Sequence, residues 1–157
     1  MRIEKSTKIG YVVTTIYMPT QAVKTLIEFI TQKQQELISE PNKNSHNQPT
    51  SAELYVVADK KTPLGWDQPN TKFLSVKDQL EGDSSLAKVV PWNSYSRKML
   101  GYLEAVKDGC LWIKETDDDN ISKLTFLNDP EMSCLVRTAE TTNSPWVNLY
   151  SAFTDRR

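Results

Sequence analysis

Two short segments limit the folds open to this chain more than any other feature. Ile9 to Tyr17 (IGYVVTTIY) and Glu53 to Ala58 (ELYVVA) are rich in β-branched and aromatic residues, and both carry apolar side chains at odd and even positions. A strand with one wet face alternates apolar and polar residues. A strand that is apolar on both parities is buried on both faces, the pattern of a parallel sheet with helices on each side. Between the two lie Val23, Leu26, Ile27, Ile30, Leu37 and Ile38, mostly at three- and four-residue spacing. They predict one apolar face of a helix of about four to five turns, with Thr20 as its N-cap and Lys24, Glu28, Gln32 and Gln35 on the wet side.

The rest of the chain reads as a continuation of that pattern. Residues 40–52 (EPNKNSHNQPTSA) have no periodicity and form a surface loop, which carries His46, the single histidine. Lys72 to Val76 predicts a short strand, Lys77 to Leu80 a helical turn, and Val89-Val90-Pro91 a brief extended piece. Tyr95 to Asp108 predicts a helix with Ser94 as N-cap, Gly109 as terminator and Met99, Tyr102, Leu103 and Val106 as its apolar stripe. Gly101 inside it costs about 1 kcal/mol relative to alanine, which points to close packing on the sheet. Leu111 to Glu115 reads as a buried strand. Lys123 to Leu127 and Ser133 to Thr138 are further strand candidates, and NSPWVNLYSAF is an extended aromatic segment. Strand and helix in alternation predict an α/β sandwich with a mostly parallel sheet. One domain over residues 1–157 is expected, with 121–157 an irregular C-terminal extension.

Charge and cysteine usage narrow the function classes. The net charge is −1 and the sequence pI about 5.9, so no basic field recruits nucleic acid or an anionic membrane. No signal peptide or membrane-spanning run is read, and Cys110 and Cys134 have neither metal-ligand nor redox spacing, so a reduced, cytoplasmic protein is expected. There is no G-x-x-x-x-G-K-[ST] and no G-x-G-x-x-G. A Ser-His-Asp system would depend on His46 in its loop, and nothing points to zinc.

Three groups of residues carry chemistry. Asp117, Asp118 and Asp119 follow the last strong strand, and adjacent carboxylates repel unless water or a cation separates them. An Asp-x-Asp pair supplies the partial oxygen shell that Mg²⁺ takes when substrate phosphates supply the rest. A solvated acidic loop is the alternative. Arg97 and Lys98 fall in the first turn of a helix, where cations oppose the macrodipole by about 0.3–1 kcal/mol unless an anion is bound. Both side chains bending into water is the other reading. Asp59, with Lys60 and Lys61, ends the second strand as either an acceptor for a ribose or base, or ordinary turn chemistry. In parallel sheets ligands bind beyond the carboxyl ends of the strands, so Asp59 and the aspartate cluster should face one crevice.

Tyr55 to Pro63 (YVVADKKTP), the segment FLSVKDQL and Val89 to Asn120 (VVPWNSYSRKMLGYLEAVKDGCLWIKETDDDN) together resemble the STELLO-type glycosyltransferases. The family's pattern has a VVGDKKTP-like segment, an SVEDQ-like segment and an Arg-Lys-x-x-Gly-Tyr-Leu run ending in an aspartate cluster. The similarity covers roughly residues 9–120. A more distant likeness is to the reversibly glycosylated polypeptides, the UDP-arabinopyranose mutases, which carry a comparable aspartate triplet.

The resemblance implies a GT-A-like three-layer sandwich with a Rossmann-like sheet, and a nucleoside-diphosphate sugar, foremost a UDP-sugar, as ligand. Carried over by position, Asp117 and Asp119 would form the DXD motif and hold Mn²⁺ or Mg²⁺. Asp59 would contact the nucleoside and Arg97 the diphosphate or base, Thr14 and Thr15 would line the nucleotide pocket, and Lys60 and Lys98 are further candidate ligand-binding residues. Family members continue into a W-P-R-G-F-P-L-like stretch and an acceptor-binding half, and plant members carry a membrane anchor. Neither is present in this sequence, so the donor half alone is expected, with acceptor and catalytic base unassigned. The expected function is a metal-dependent glycosyltransferase or its donor-binding domain. The alternatives are a non-catalytic nucleotide-sugar-binding module and, behind it, a metal-dependent phosphohydrolase. An oligomer is compatible with all three.

Overall fold

Four strands hydrogen-bond side by side, all parallel, in the computed structural model, which describes residues 8–39 and 51–127. They are β1 (Lys8–Thr15), β2 (Ser51–Ala58), β3 (Thr71–Leu74) and β4 (Cys110–Glu115), in spatial order β3-β2-β1-β4. The chain is α/β, as the two-faced strands predict. α1 (Gln21–Ser39) links β1 to β2, and a loop without a helix links β2 to β3. Two short helices, α2 (Val76–Glu81) and α3 (Ser85–Val89), and then α4 (Lys98–Lys107), carry the chain from β3 across to the far side of β1.

The double-sided apolar pattern of β1 and β2 has a direct structural counterpart. Ile9, Tyr11 and Val13 of β1, with Leu54 and Val56 of β2, pack against Val23, Leu26, Ile27 and Ile30 of α1. The intervening residues turn the other way: Val12 and Tyr55 pack with Ala105 of α4, and Val57 packs with Leu100 of α4 and Ala87 of α3. All of these β1 and β2 side chains are at most 1% exposed, so each contributes near its full burial value, about 1.5–3 kcal/mol for a large apolar side chain. Thr20 caps α1 as expected, its hydroxyl accepting from the Val23 amide at 3.2 Å.

Several local expectations are corrected. β3 ends at Leu74, because Ser75 and Asp78 form a reciprocal capping box that starts α2 at Val76. Val89 is helical, since Ser84 caps the turn through the Ala87 amide, and the chain becomes extended only at Val90. Lys123 to Leu127 is a 3-10 turn at Leu124–Leu127 and not a strand. Tyr95–Arg97 is a 3-10 turn capped by Ser94, and the α-helix proper begins at Lys98.

The buried face of α4 also differs from the predicted stripe. Leu100, Gly101 and Ala105 face the sheet, whereas the predicted stripe residues Met99 and Val106 are 51% and 60% exposed. The close approach that Gly101 suggested is present: a Cβ there would lie 2.5 Å from Val12 Cγ1 and 2.9 Å from Val57 Cγ2. Gly109, at φ +78°, ends the unit as expected.

β4 is the sheet's outer strand beside β1, and it is not buried throughout. Ile9 pairs with Trp112 while Lys8 pairs with Cys110, so Leu111 is an extra residue in a β-bulge. The bulge reverses the facing of the strand: Cys110 joins the α4 side, Trp112 packs on the α1 side, and Leu111 is left 62% exposed. Residues 128–157, with the predicted strand at Ser133 to Thr138, the aromatic segment and Cys134, lie outside the described residues, as does His46.

Candidate functional site

Strand order decides where a site can form. From β1 the chain steps to β2 and β3 on one side, then returns to place β4 on the other, so the order reverses between β1 and β4. Loops leaving the carboxyl ends of these two strands diverge to opposite faces, which opens a crevice at that switch point. A cleft of about 310 Å³ lies there. Its lining includes Thr14, Thr15 and Tyr17 from the end of β1 and Asp117, Asp118 and Asp119 from the end of β4. Asp59 and Lys61 enter from the end of β2, and Asn93, Ser94 and Tyr95 from the approach to α4.

A set of short hydrogen bonds fixes the walls. The Thr15 hydroxyl donates to Asp118 Oδ2 at 2.5 Å and accepts from the Tyr17 amide at 3.1 Å. The Thr20 hydroxyl donates to the Asp118 carbonyl, tying the start of α1 to the aspartate turn. Thr14 Oγ1 donates to the Val57 carbonyl at 3.2 Å. Thr62 Oγ1 donates to the Thr15 carbonyl at 2.6 Å and accepts from the Asp59 amide at 2.8 Å, which joins the β2 loop to β1.

Asp59 is 3% exposed and organises the loop before α4. Its carboxylate accepts from the backbone amides of Lys60 at 2.6 Å, Asn93 at 2.9 Å and Ser94 at 3.3 Å. These bonds hold Asn93 in its left-handed conformation, φ 54°. The carboxylate therefore shapes the wall from which Asn93, Ser94 and Tyr95 present themselves.

The three aspartates have different surroundings. Asp117 Oδ1 accepts from Lys98 Nζ at 2.7 Å, and the same ammonium lies 3.9 Å from Glu115. Asp118 is tied to Thr15 and Thr20. Asp119 is exposed and makes no hydrogen bond or ion pair with a described residue. Among the described residues no group of three or more His, Cys, Asp or Glu is arranged to hold a metal ion. What the cleft offers is an all-oxygen donor set with Asp119 and the second oxygen of Asp117 open. That fits a hard cation whose shell is completed by a ligand's phosphates, and does not fit a self-sufficient protein cage.

Arg97 is a correction. It was expected at the diphosphate or base, but it is fully buried and lies outside the cleft lining. Its Nε donates to Gln79 Oε1 at 3.1 Å and its Nη1 to the carbonyls of Ala87 and Val90 at 3.1 and 2.8 Å; its Nη2 also donates to Gln79. The guanidinium stacks on Trp92, 3.6 Å from the ring centroid. Burial pushes its pKa down, opposed by the charge of Asp59, and an arginine remains cationic under such a shift. Lys98 is neither free nor directed to water: its side chain is 9% exposed and paired with Asp117. Lys60 rests over Trp92 at 5.3 Å, and Lys61 takes its place in the lining.

Thr14, Thr15, Asp59, Asp117 and Asp119 are thus brought to one cleft, while Arg97, Lys60 and Lys98 are outside its lining, Lys98 meeting it only through its pairing with Asp117. Sequence reasoning missed Tyr17, Asn93 and Tyr95. Tyr17 lies two residues past the end of β1, which was the available signal. Asn93 and Tyr95 reach the cleft only through the bonds to Asp59, which no local pattern encodes. No protein-family model matches the chain, and no curated protein matches it.

Proposed function

We propose that this domain binds a nucleoside-diphosphate sugar, foremost a UDP-sugar, in the cleft at the β1/β4 switch point, and that it acts as a metal-dependent glycosyltransferase or its donor-binding domain. The observation that carries the reading is the convergence of Asp117, Asp118 and Asp119 with Thr14, Thr15 and Asp59 at the carboxyl ends of three parallel strands. The resemblance to the STELLO-type family supports it and suggests a GT-A-like arrangement. A Mn²⁺ or Mg²⁺ ion bound at Asp117 and Asp119 would neutralise charge on a departing nucleoside diphosphate. Lys98, beside Asp117, and Lys61, at the rim, add positive charge for the same group. Thr15 and Thr20 hold the aspartate turn in place for that contact.

A second reading, a module that binds the nucleotide sugar without transferring it, is favoured by one observation. Asp117 and Asp118 are each engaged already, by Lys98 and Thr15. No helix among the described residues is long and apolar enough to cross a membrane. A cytoplasmic location accords with that and with the cysteine usage, and is part of the proposal.

Thermal melting with UDP-, GDP- and CDP-sugars, with and without Mn²⁺ or Mg²⁺, tests the proposal. A ligand at a hundred times its dissociation constant adds about 2.7 kcal/mol, roughly 5–10 °C for a chain of this size. A metal-dependent rise with at least one donor is expected, and no rise with any donor would overturn the reading. Release of nucleoside diphosphate from the bound donor then separates the enzyme from the module.

A further inference from the structure

We propose that the cleft recognises the flat ring of a nucleotide base by stacking it on Tyr95, with Tyr17 as a second aromatic contact. Its ligands are then nucleoside diphosphates rather than bare pyrophosphate or sugar phosphates. The inference rests on the nucleotide-sugar reading and adds the group that selects the nucleoside.

Two large aromatic side chains line the same cleft and are left open to solvent: Tyr95 is 73% exposed and Tyr17 is 56% exposed. Isolated surface tyrosines need no explanation, but these two stand on backbone that is held in place from below. Tyr95 begins a 3-10 turn capped by Ser94, and the preceding amides of Asn93 and Ser94 are bound by the buried Asp59 carboxylate. The Tyr17 amide is bound by Thr15 Oγ1, whose proton goes to Asp118. An exposed ring on a fixed mount is a preorganised platform, and base–aromatic stacking tolerates any base because each has a π-face.

The neighbourhood of Tyr95 gives the platform a direction. Lys98 Nζ lies 5.7 Å from the centre of the Tyr95 ring and 2.7 Å from Asp117 Oδ1. An aromatic face, a cation and the aspartate turn therefore follow one another within the span of a single nucleotide. A base on Tyr95 directs its phosphates toward Lys98 and the aspartates. Pyrophosphate meets only the second half of that series.

Calorimetric titration of the whole chain with UDP, GDP and pyrophosphate, all with Mn²⁺, tests this. Tyr95→Ala is expected to weaken UDP and GDP roughly ten-fold while leaving pyrophosphate unchanged. Tyr95→Phe and Tyr95→Trp should retain UDP affinity, and Tyr17→Ala should show a loss of the same selective kind. Because the ring is exposed, the melting temperature of each unliganded variant should match that of the parent. Unchanged UDP affinity in Tyr95→Ala, or an equal loss for pyrophosphate, overturns the stacking and leaves the nucleotide-sugar reading standing. If the unaltered chain binds neither nucleotide nor any nucleotide sugar, both fall together.

Discussion

At the scale of single residues, the cleft depends on how each charge is neutralised. Arg97 is the clearest case, because a cation that reads in the sequence as a ligand contact is instead the bolt joining α2, α3 and the loop before α4. Its bonds to Gln79 and to the Ala87 and Val90 carbonyls use four of its five N–H groups, and its complete burial keeps a phosphate away from the fifth. Replacing it by methionine strands two carbonyls and a buried amide oxygen, so destabilisation by about 3–5 kcal/mol is expected, read from urea unfolding. Asp119 is the opposite case. It is exposed and makes no hydrogen bond or ion pair with a described residue, so Asp119→Asn should leave the unliganded melting temperature within about 1–2 °C of the parent, as surface substitutions do. The same variant should lose the metal-dependent part of nucleotide-sugar binding. Equal Mn²⁺-dependent binding in the variant would return Asp119 to the role of a solvated carboxylate.

At the scale of elements, α4 is held to the sheet by the absence of side chains. Gly101 lies over Val12 and Val57, and Ala105 over Tyr55. An alanine at 101 gains about 1 kcal/mol of helix propensity but forces the helix away from two β-branched residues, a cost of about 1–3 kcal/mol. Gly101→Ala is therefore expected to destabilise, and pairing it with Val12→Ala should recover part of the loss relative to Val12→Ala alone. A double-mutant cycle on urea midpoints checks the coupling.

This element also marks the limit of what the sequence showed. The two-faced strands β1 and β2, helix α1, the close approach at Gly101 and the stop at Gly109 were all legible, because each depends on local periodicity or backbone geometry. The face that α4 buries was not, since the helix carries apolar residues on two faces and contact with the sheet selects Leu100, Gly101 and Ala105. The bulge at Leu111 was missed for a similar reason: it is defined against β1, a partner far away in sequence. At the site, strand ends could be read and so could the meeting of Asp59 with the aspartates. The pairing of Lys98 with Asp117 and the burial of Arg97 could not, because desolvation by distant elements leaves no mark on neighbouring residues.

At the scale of the whole molecule, the two ends of the sheet have separate chemistries. Opposite the cleft, the Tyr55 hydroxyl donates to Asp108 at 2.8 Å, and Lys72 Nζ lies 2.7 Å from the same carboxylate. Lys8 pairs with Glu53 nearby. The hydrogen bond from Lys72, then that from Tyr55, holds the Asp108 pKa below the usual carboxylate range. Asp108 in turn raises the Lys72 pKa, chiefly through the same hydrogen bond. Burial, with the bonds to Cys110 and Asp108, pushes the Tyr55 pKa far up.

The signs fix the pH dependence. A depressed Asp108 stabilises the fold above the unfolded aspartate value, about 3.9, and that contribution is lost as pH falls through its folded value. A raised Lys72 stabilises the fold below about 10.4 and is lost as pH rises through its folded value. The cluster therefore contributes to a plateau between those limits. Asp108→Asn should flatten the acid limb of the urea midpoint between about pH 2 and 5, and it should leave nucleotide-sugar binding at neutral pH unchanged. A cleft affinity that followed this substitution would mean that the two ends of the sheet are coupled.

The position of β4 has one more implication, for the order of events in folding. β1 lies at the centre of the sheet, yet its second neighbour arrives only when Trp112 can pair with Ile9, across roughly a hundred residues of chain. A nascent chain emerging from the ribosome can assemble β1, α1, β2 and β3 first, and must then hold one edge of β1 open until α4 and β4 follow. The parts of the cleft supplied by Asn93 to Tyr95 and by the three aspartates are added to the β1 and β2 ends only in that last step, so ligand competence is gained late. During synthesis the open edge of β1 is the place where the chain is most exposed to mispairing with a neighbour.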